Sequence, residues 1–255
     1  MSQSLPVLLL QLGEANESIR AQHGGYASWY ERAWGSPLHV VDGRKPGEVP
    51  DPRGLAAILI TGSAESLRKP TPWMDDAADF VRRAIDCGTP TLGACFGHQL
   101  IGYALGGKVV RNPRGWEIGS CDVALAEAGA KDPLFAGVAS RFRVNLTHED
   151  MICPESLKLV ELPHRVLAWN EATPVQALAV SDHVRGVQFH PELPGAVCRA
   201  YIRERRPLLV GMDADALLAQ TEDCAAGVTI MQNFRRLFVE KGGKASLGQR
   251  SSRRT

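Results

Sequence analysis

The first half of the chain alternates short apolar runs with segments in which apolar residues recur at helical spacing. Short apolar runs bounded by turn residues are typical of buried strands, and helical recurrence is typical of amphipathic helices. Strands that alternate with helices favour a parallel, doubly wound α/β sheet. The pattern predicts strands over 5–12, 37–41, 56–60 and 89–92, and helices over 27–34, 73–86 and 96–105.

After position 107 the apolar segments become short and are separated by turn residues, which is typical of antiparallel hairpins. Beyond Glu192, helical spacing returns in three segments. The sequence therefore predicts one α/β domain over 1–240, with a mostly parallel doubly wound sheet, short antiparallel hairpins and a C-terminal helical extension. The hairpin strands are predicted over 108–111, 120–125, 141–146, 158–162, 166–169 and 175–180, a further strand over 184–189, and helices over 196–205, 213–220 and 229–241.

Composition and length fit one globular domain. Of the 255 residues, 44% are hydrophobic and 22% are charged, and no apolar run approaches the ~20 residues of a membrane helix. The run at 5–12 lacks a basic flank and a small-residue cleavage site, so we interpret it as a strand rather than a signal peptide. The six cysteines are interpreted as free thiols, and none has zinc-ligand spacing. These features predict a cytoplasmic protein with no membrane association and no metal.

The charge is distributed unevenly, although the net value is only +1. Residues 241–255 carry five basic side chains and no acidic one, among glycines and serines. This composition predicts a disordered basic tail. Contact with nucleic acid is an alternative, but no aromatic residue or nucleic-acid-binding motif accompanies the basic residues. We therefore favour a solvated terminus and no nucleic-acid partner.

The segment Gly93-Ala94-Cys95-Phe96-Gly97 joins a predicted strand to a predicted helix. A tight, glycine-flanked turn between a strand and a helix is a nucleophile elbow, which raises one side chain above the edge of the sheet. Here that side chain is the thiol of Cys95, at a helix N-terminus whose dipole favours a thiolate. A lone buried cysteine is more often a small apolar residue, so the assignment depends on a second motif.

The second motif is Val187-Gln188-Phe189-His190-Pro191-Glu192, at the end of a predicted strand. Pro191 restricts His190 to an extended conformation, in which residues two apart point the same way. Glu192 can then orient the imidazole while its other nitrogen faces the thiol. Cys95, His190 and Glu192 are predicted to be the nucleophile, the base and the orienting acid of a catalytic triad. A histidine that is merely satisfied at a strand end is the alternative.

With these motifs the chain resembles the class I, or triad-type, glutamine amidotransferases, in particular the amidotransferase domain of GMP synthase and its free-standing relatives. The resemblance runs from about position 57 to about position 238. Its specific parts are the cysteine elbow and the His-Pro-Glu motif, and the segments 58–63, 106–110, 115–119 and 147–150 support it. It implies a flavodoxin-like sheet and cleavage of a γ-glutamyl amide.

The resemblance also implies roles for five further residues. Gly62, which follows Thr61, is expected in the oxyanion hole together with the backbone N–H of Phe96. An ordinary turn glycine is the alternative for Gly62. The residues expected to bind substrate are Gln99, His148 and Asp150. Gln99 could instead be an exposed polar residue, and the other two could cap a loop.

The sequence therefore predicts a free-standing hydrolase that releases ammonia and glutamate from glutamine through a cysteine thioester, with no cofactor. A γ-glutamyl peptidase with the same triad, and a non-catalytic or regulatory subunit of a synthase, are the alternatives. No Walker A sequence or Ser-Gly-Gly-Val-Asp-Ser loop is present, so activation of an acceptor by ATP is not expected. The expected partner is a small-molecule substrate, and a synthase partner stays open. The C-terminal extension is predicted either to cover the surface that a synthase would use or only to complete the core.

Overall fold

The computed structural model of the protein describes residues 5–45 and 47–240. Its strands are β1 (Val7–Gln11), β2 (His39–Asp42), β3 (Ala57–Ile60), β4 (Thr91–Ala94), β5 (Val109–Arg111), β6 (Glu117–Leu125), β7 (Arg141–His148), β8 (Asp150–Ile152), β9 (His164–Trp169), β10 (Ala177–Val180) and β11 (Val184–Val187). Its α-helices are α1 (Glu17–His23), α2 (Tyr26–Trp34), α3 (Pro72–Cys87), α4 (Phe96–Ala104), α5 (Glu127–Ala130), α6 (Pro154–Leu157), α7 (Gly195–Arg205), α8 (Ala214–Gln220) and α9 (Ala225–Asn233). A π-helix, Phe234–Glu240, follows α9 directly. None of these helices is both long and apolar enough to span a membrane.

Within the described chain, nine strands form one sheet in the order β2-β1-β3-β4-β11-β10-β9-β6-β7. The pairs from β2 to β11 are parallel, and the pairs from β11 to β7 are antiparallel. Strands β5 and β8 form a separate antiparallel pair. The predicted doubly wound α/β fold with antiparallel hairpins is confirmed. Most of the hairpin strands extend the parallel sheet instead of standing apart from it.

Helices cover both faces of the inner parallel strands, which explains why β1 and β3 carry continuous apolar runs. Leu8, Leu9 and Leu10 of β1 are all fully buried. Leu8 and Leu10 pack in one core with residues of α3 and α4, whereas Leu9 packs in a second core with residues of α2 and α9. The alternation follows from the period of two along a strand. One short strand thus joins the two halves of the domain.

A third apolar cluster joins the N-terminal helices to α7. It includes Ile19 of α1, Trp29 of α2, and Tyr201 of α7. The rings of Trp29 and Tyr201 meet edge to face with their centroids 6.4 Å apart. Nε1 of Trp29 also donates a hydrogen bond to the carbonyl of His23 over 2.7 Å. These contacts hold α1, α2 and α7 together beside the sheet.

The closing helix predicted over 229–241 begins earlier, at Ala225, and continues as the π-helix. Ile230 and Phe234 are fully buried in the core that contains α2 residues, and the rings of Phe234 and Trp34 lie 6.4 Å apart. The extension therefore completes the core, and its effect on synthase docking stays a prediction. Position 241 and the predicted tail, 241–255, lie outside the described residues.

One strand prediction is wrong, and helix α1 was missed. The strand predicted over 158–162 is a turn and an irregular segment after α6. Leu159 in this segment is 84% exposed and Leu162 is 41% exposed, so the apolar residues that suggested a strand pack in no sheet. Helix α1 was not predicted, because Ile19 is its only buried residue and no apolar periodicity marks it. In addition, the strand predicted from 120 starts earlier, at Glu117.

Candidate active site

The cysteine elbow and the His-Pro-Glu segment leave neighbouring parallel strands. Ala94 at the end of β4 pairs with Val187 at the end of β11. The N–H of Cys95 donates to the carbonyl of Val187 over 2.9 Å. Because the two strands run in the same direction, their C-terminal ends meet at one edge of the sheet, where open α/β sheets place their sites. The topology thus brings Cys95 and His190 together from distant parts of the sequence.

Cys95 lies in a strained turn. Its φ of 52° and ψ of −105° are sparsely populated by residues other than glycine. Flanking glycines make the turn possible. A Cβ at Gly93 would lie 2.5 Å from the backbone of Gly97, and a Cβ at Gly97 would lie 2.6 Å from the carbonyl oxygen of Ile60. Cys95 is the N-cap of α4 and is 6% exposed, which is the geometry of a nucleophile elbow.

The imidazole of His190 is held by Glu192. Nδ1 of His190 lies 2.7 Å from Oε1 of Glu192, and both side chains are almost fully buried. The backbone N–H of His190 donates to the carbonyl of Asn145 over 2.9 Å, and the Asn145 amide donates to the carbonyl of Leu193 over 2.9 Å. Asn145 of β7 therefore anchors both sides of the turn. No local sequence signal points to this role, because Asn145 is remote from the motif that it holds.

The second ring nitrogen of His190 is available to the thiol. Nε2 of His190 is buried and accepts or donates no hydrogen bond within the described chain. Burial alone lowers the pKa of His190, but the negative charges of Glu192 and Cys95 outweigh burial and raise it from 6.5 to about 10. The neighbouring Glu192 carboxylate therefore favours the protonated imidazole. An imidazolium beside Cys95 stabilises the thiolate, which is the nucleophilic form.

Gly62 lies against both Cys95 and His190. A Cβ at this position would be 2.9 Å from Cε1 of His190 and 3.7 Å from Cβ of Cys95. Phe96 is the first residue of α4, so its N–H has no acceptor inside the helix. Backbone N–H groups near the thiol can thus come from the loop after β3, at Gly62, and from the start of α4, at Phe96, as an oxyanion hole with two donors requires. The oxyanion role of Gly62 and Phe96 stays a prediction.

The three residues predicted to bind substrate are buried in hydrogen-bonded networks and do not line the pocket at the thiol. The Gln99 amide donates to the carbonyl of Asp150 over 2.8 Å and to Oε1 of Gln188 over 3.1 Å. The Asp150 carboxylate pairs with Arg68 over 2.9 Å. Nδ1 of His148 lies 3.0 Å from the carbonyl oxygen of Asp150. These contacts are structural, and substrate binding by the three residues stays a prediction.

Glu117 is a buried carboxylate beside this network. Its Oε2 lies 3.2 Å from Nε2 of His148 and accepts from the Thr173 hydroxyl over 2.7 Å and the Gln176 amide over 3.1 Å. Burial raises the pKa of Glu117, but its hydrogen bonds and the charge of His148 outweigh burial and lower the pKa below its ordinary value. Glu117 therefore ties β6 to β7 and to the segment before β10. Within 5–45 and 47–240, no group of three or more His, Cys, Asp and Glu side chains is arranged to hold a metal ion.

The pocket at the thiol is narrow. Its cavity volume is about 10 Å³, room for roughly one water. A larger surface cleft, of about 330 Å³, lies at Arg114 and Trp169 and contains none of the candidate catalytic residues. Of the pocket lining, Tyr26, Ser63, Thr147, Leu193, Tyr201 and Arg205 are not predicted from the sequence. The lining residues are Tyr26, Ser63, Cys95, Thr147, His190, Leu193, Tyr201 and Arg205.

Comparison with known proteins places this site in a family context. Residues 35–202 match the family described as glutamine amidotransferase class-I. Gamma-glutamyl peptidase 4 of Arabidopsis thaliana is 27% identical over 75% of this chain and 77% of that protein. A glutamine amidotransferase-like protein of Schizosaccharomyces pombe is 30% identical over 76% of this chain and 77% of its own length. A GMP synthase of Thermomicrobium roseum is 32% identical over 64% of this chain, but that match spans only 26% of the synthase.

Solved structures share the fold. A crystal structure of a glutamine amidotransferase from Thermotoga maritima matches with a TM-score of 0.70 and 18% identity, over 93% of this chain and 100% of that chain. The crystal structure of a glutamine amidotransferase from Methylobacillus flagellatus matches with a TM-score of 0.68 and 19% identity, over 92% of this chain and 93% of that chain. At such identities the likeness shows the architecture alone.

Proposed function

The chain belongs to the class I glutamine amidotransferase family, and we propose that it hydrolyses the γ-glutamyl amide bond of a small-molecule substrate through a thioester at Cys95. The proposal is carried by the arrangement of three groups: the elbow thiol of Cys95, the imidazole of His190 with Nε2 free, and the carboxylate of Glu192 on Nδ1. Burial of such charged groups is costly, and perturbed titratable groups concentrate at catalytic sites. A module that only binds a partner has no need of all three.

The proposed reaction begins with attack of the Cys95 sulfur on the γ-carbonyl carbon. The negative charge moves to the carbonyl oxygen, where the N–H groups of Phe96 and Gly62 stabilise it. As the tetrahedral intermediate collapses, Nε2 of His190 gives its proton to the leaving nitrogen, and the C–N bond breaks. Neutral His190 then takes a proton from a water molecule, whose oxygen attacks the thioester. The C–S bond breaks, and glutamate leaves. Glu192 orients the imidazole throughout.

The extent of the match to gamma-glutamyl peptidase 4 supports a hydrolase of γ-glutamyl compounds. The match to gamma-glutamyl peptidase 4 spans most of that protein, whereas the match to GMP synthase spans about a quarter of it. Glutamine and γ-glutamyl peptides share the γ-glutamyl group and differ in the leaving amine. We therefore propose that γ-glutamyl peptides are substrates beside glutamine. The cytoplasmic location stays a prediction, and a synthase partner is the alternative for a chain that is inactive alone.

The test is product formation by the purified protein without any added partner. L-glutamine and a panel of γ-glutamyl peptides are supplied, and released glutamate, ammonia and peptide are measured by mass spectrometry. We expect turnover of ~1–10³ s⁻¹ on at least one substrate. Cys95→Ala is expected to abolish it, whereas Cys87→Ser, at an exposed free thiol, is the matched control that retains it.

A covalent probe distinguishes an inactive enzyme from an active one that has been tested with unsuitable substrates. A glutamine-like chloroketone is expected to label Cys95 alone among the six cysteines. Labelling elsewhere, or turnover that survives Cys95→Ala, would reject the proposed nucleophile. Turnover that appears only when an ATP-dependent synthase is added would favour the partnered subunit.

A further inference from the structure

Arg205 presents a positive charge to the pocket at the thiol. It is the last residue of α7, is half-buried, and lines the pocket together with Cys95. Its guanidinium carbon lies 4.9 Å from the ring centroid of Trp116 and 4.9 Å from that of Tyr201. Aromatic faces attract a cation without neutralising it. The two rings therefore fix the position of the guanidinium and leave its charge in place.

Most of the guanidinium donors of Arg205 are free. Nη1 donates to the backbone carbonyl of Thr147 over 3.1 Å and to its hydroxyl. Nε and Nη2 donate to no acceptor in the described chain, and no described Asp or Glu carboxylate lies within ion-pairing distance of Arg205. The next residue, Arg206, is by contrast paired with Asp215. A half-buried cation that lacks a carboxylate partner and forms part of a pocket wall is suited to an anionic ligand.

Tyr26 connects the guanidinium to the thiol electrostatically. Burial and the neighbouring Tyr201 raise the pKa of Tyr26 well above its ordinary value, the charge of Cys95 raises it further, and the charge of Arg205 lowers it. Tyr26 also lines the pocket together with both groups. Tyr26, Tyr201 and Leu193 supply the less polar part of the lining.

We propose that Arg205 binds the α-carboxylate of the substrate, so that the enzyme selects γ-glutamyl groups whose α-carboxylate is free. The inference rests on the proposed function at Cys95. A γ-glutamyl group carries the reactive carbonyl at one end of a short hydrocarbon chain and the carboxylate near the other. The pocket offers a thiol for the first and a guanidinium for the second. The free Nε and Nη2 of Arg205 form the planar fork that donates two parallel hydrogen bonds to a carboxylate.

The test compares two anilide substrates that differ only in this carboxylate: γ-glutamyl anilide and γ-aminobutyryl anilide. Each hydrogen bond to a charged group strengthens binding by about 10- to 100-fold. The wild-type enzyme is therefore expected to show a kcat/KM for the γ-glutamyl anilide that is higher by at least that factor than for the γ-aminobutyryl anilide. In Arg205→Met the preference is expected to collapse towards unity, and Arg205→Lys is expected to keep part of it. Arg206→Met, at the neighbouring exposed arginine, is the matched control and is expected to keep the wild-type ratio.

A purely structural role of Arg205 would lower kcat/KM for both anilides by the same factor and keep their ratio, and that result would overturn the proposal. A binding measurement makes the test independent of catalysis. L-glutamate is expected to raise the thermal midpoint of Cys95→Ala and to lose this effect in the double variant with Arg205→Met. Equal stabilisation of both proteins would also overturn the proposal. Cleavage of neither anilide by the wild-type enzyme, with glutamate binding still dependent on Arg205, would reject the proposed hydrolysis and keep the carboxylate site.

Discussion

Replacing Gly62 by alanine would add a methyl group 2.9 Å from Cε1 of His190. Ordinary contacts of a Cβ begin at 3.4 Å, so the ring and the loop must separate by several tenths of an ångström. The ring cannot rotate away cheaply, because Nδ1 is held by Glu192 at 2.7 Å and the backbone N–H by Asn145. A misplacement of ~1 Å costs about 10²-fold in rate, and the loss of one oxyanion donor costs about 10²–10³-fold. We expect kcat of Gly62→Ala to fall by about 10²-fold. The change in KM is expected to be smaller, because the displaced imidazole and oxyanion donor act in the transition state.

Steady-state kinetics on the best substrate, together with thermal unfolding followed by circular dichroism, measure this effect. Gly62 does not have a positive φ, so alanine adds no backbone strain, and the thermal midpoint is expected to stay within a few degrees of wild type. Gly54→Ala is the matched control, because a Cβ at Gly54 would meet nothing within 4 Å. It is expected to leave kcat unchanged. A folded Gly62→Ala enzyme with wild-type kcat would refute the reasoning from the close approach to His190.

Four further predictions concern strain, charge, pH dependence and burial. Cys95→Gly is expected to unfold in urea with a free energy about 1 kcal/mol higher than Cys95→Ala, since both remove the thiol but only glycine relieves the positive φ; equal values would argue against strain at the elbow. The pKa of His190, followed by NMR, is expected to fall below about 10 in Cys95→Ala because a negative charge is removed. Because the folded-state pKa is raised from 6.5, protonated His190 stabilises the wild-type fold fully below about pH 6.5, and this contribution is lost as the pH rises through about 10. The thermal midpoint of His190→Gln is therefore expected to depend less on pH between these two values than the midpoint of the wild-type protein. Arg185→Met is expected to lower the free energy of unfolding in urea by ~3–5 kcal/mol, because it leaves the buried Asp132 carboxylate, which Arg185 contacts at 2.9 Å, without its ion-pair partner. Arg206→Met, at an exposed ion pair, is expected to lower it by ~1 kcal/mol or less.

The parallel half of the sheet and the elbow could be predicted because their signals are local. A strand buried on both faces favours an unbroken apolar run, and β1 and β3 provide one each. The turn at Cys95 needs glycines at Gly93 and Gly97, which are visible in the sequence as they stand. The His-Pro-Glu pairing is predicted from an extended segment, but the strand ends at Val187, and Pro191 and Glu192 lie in a turn closed by the Leu193 N–H on the His190 carbonyl.

The pocket wall could not be predicted, because its parts come from separate elements. Tyr26 and Arg205 belong to helices at opposite ends of the domain sequence, and only the third apolar cluster brings these helices together. The burial of Gln99 has a similar reason. Its spacing from Cys95 is the same whether its amide faces a substrate or the carbonyl of Asp150, and tertiary contacts decide between the two. Leu159 illustrates the opposite case. Its apolar side chain contributed to the prediction of a strand over 158–162, but it is exposed and pairs with no strand of the described sheet.

The proposed reacting groups and the rest of the pocket lining are held by different secondary-structure elements. The thiol and the imidazole are carried at the ends of β4 and β11, whereas Tyr26, Tyr201 and Arg205 are carried on α2 and α7 beside the sheet. Substitutions at these three pocket residues would change the lining that we propose contacts the substrate, without altering the residues of the elbow. Duplicated copies of such a gene can therefore diverge in the metabolites that they accept while inheriting one cleavage chemistry. A laboratory library confined to Tyr26, Tyr201 and Arg205 would search substrate range at little risk to the nucleophile.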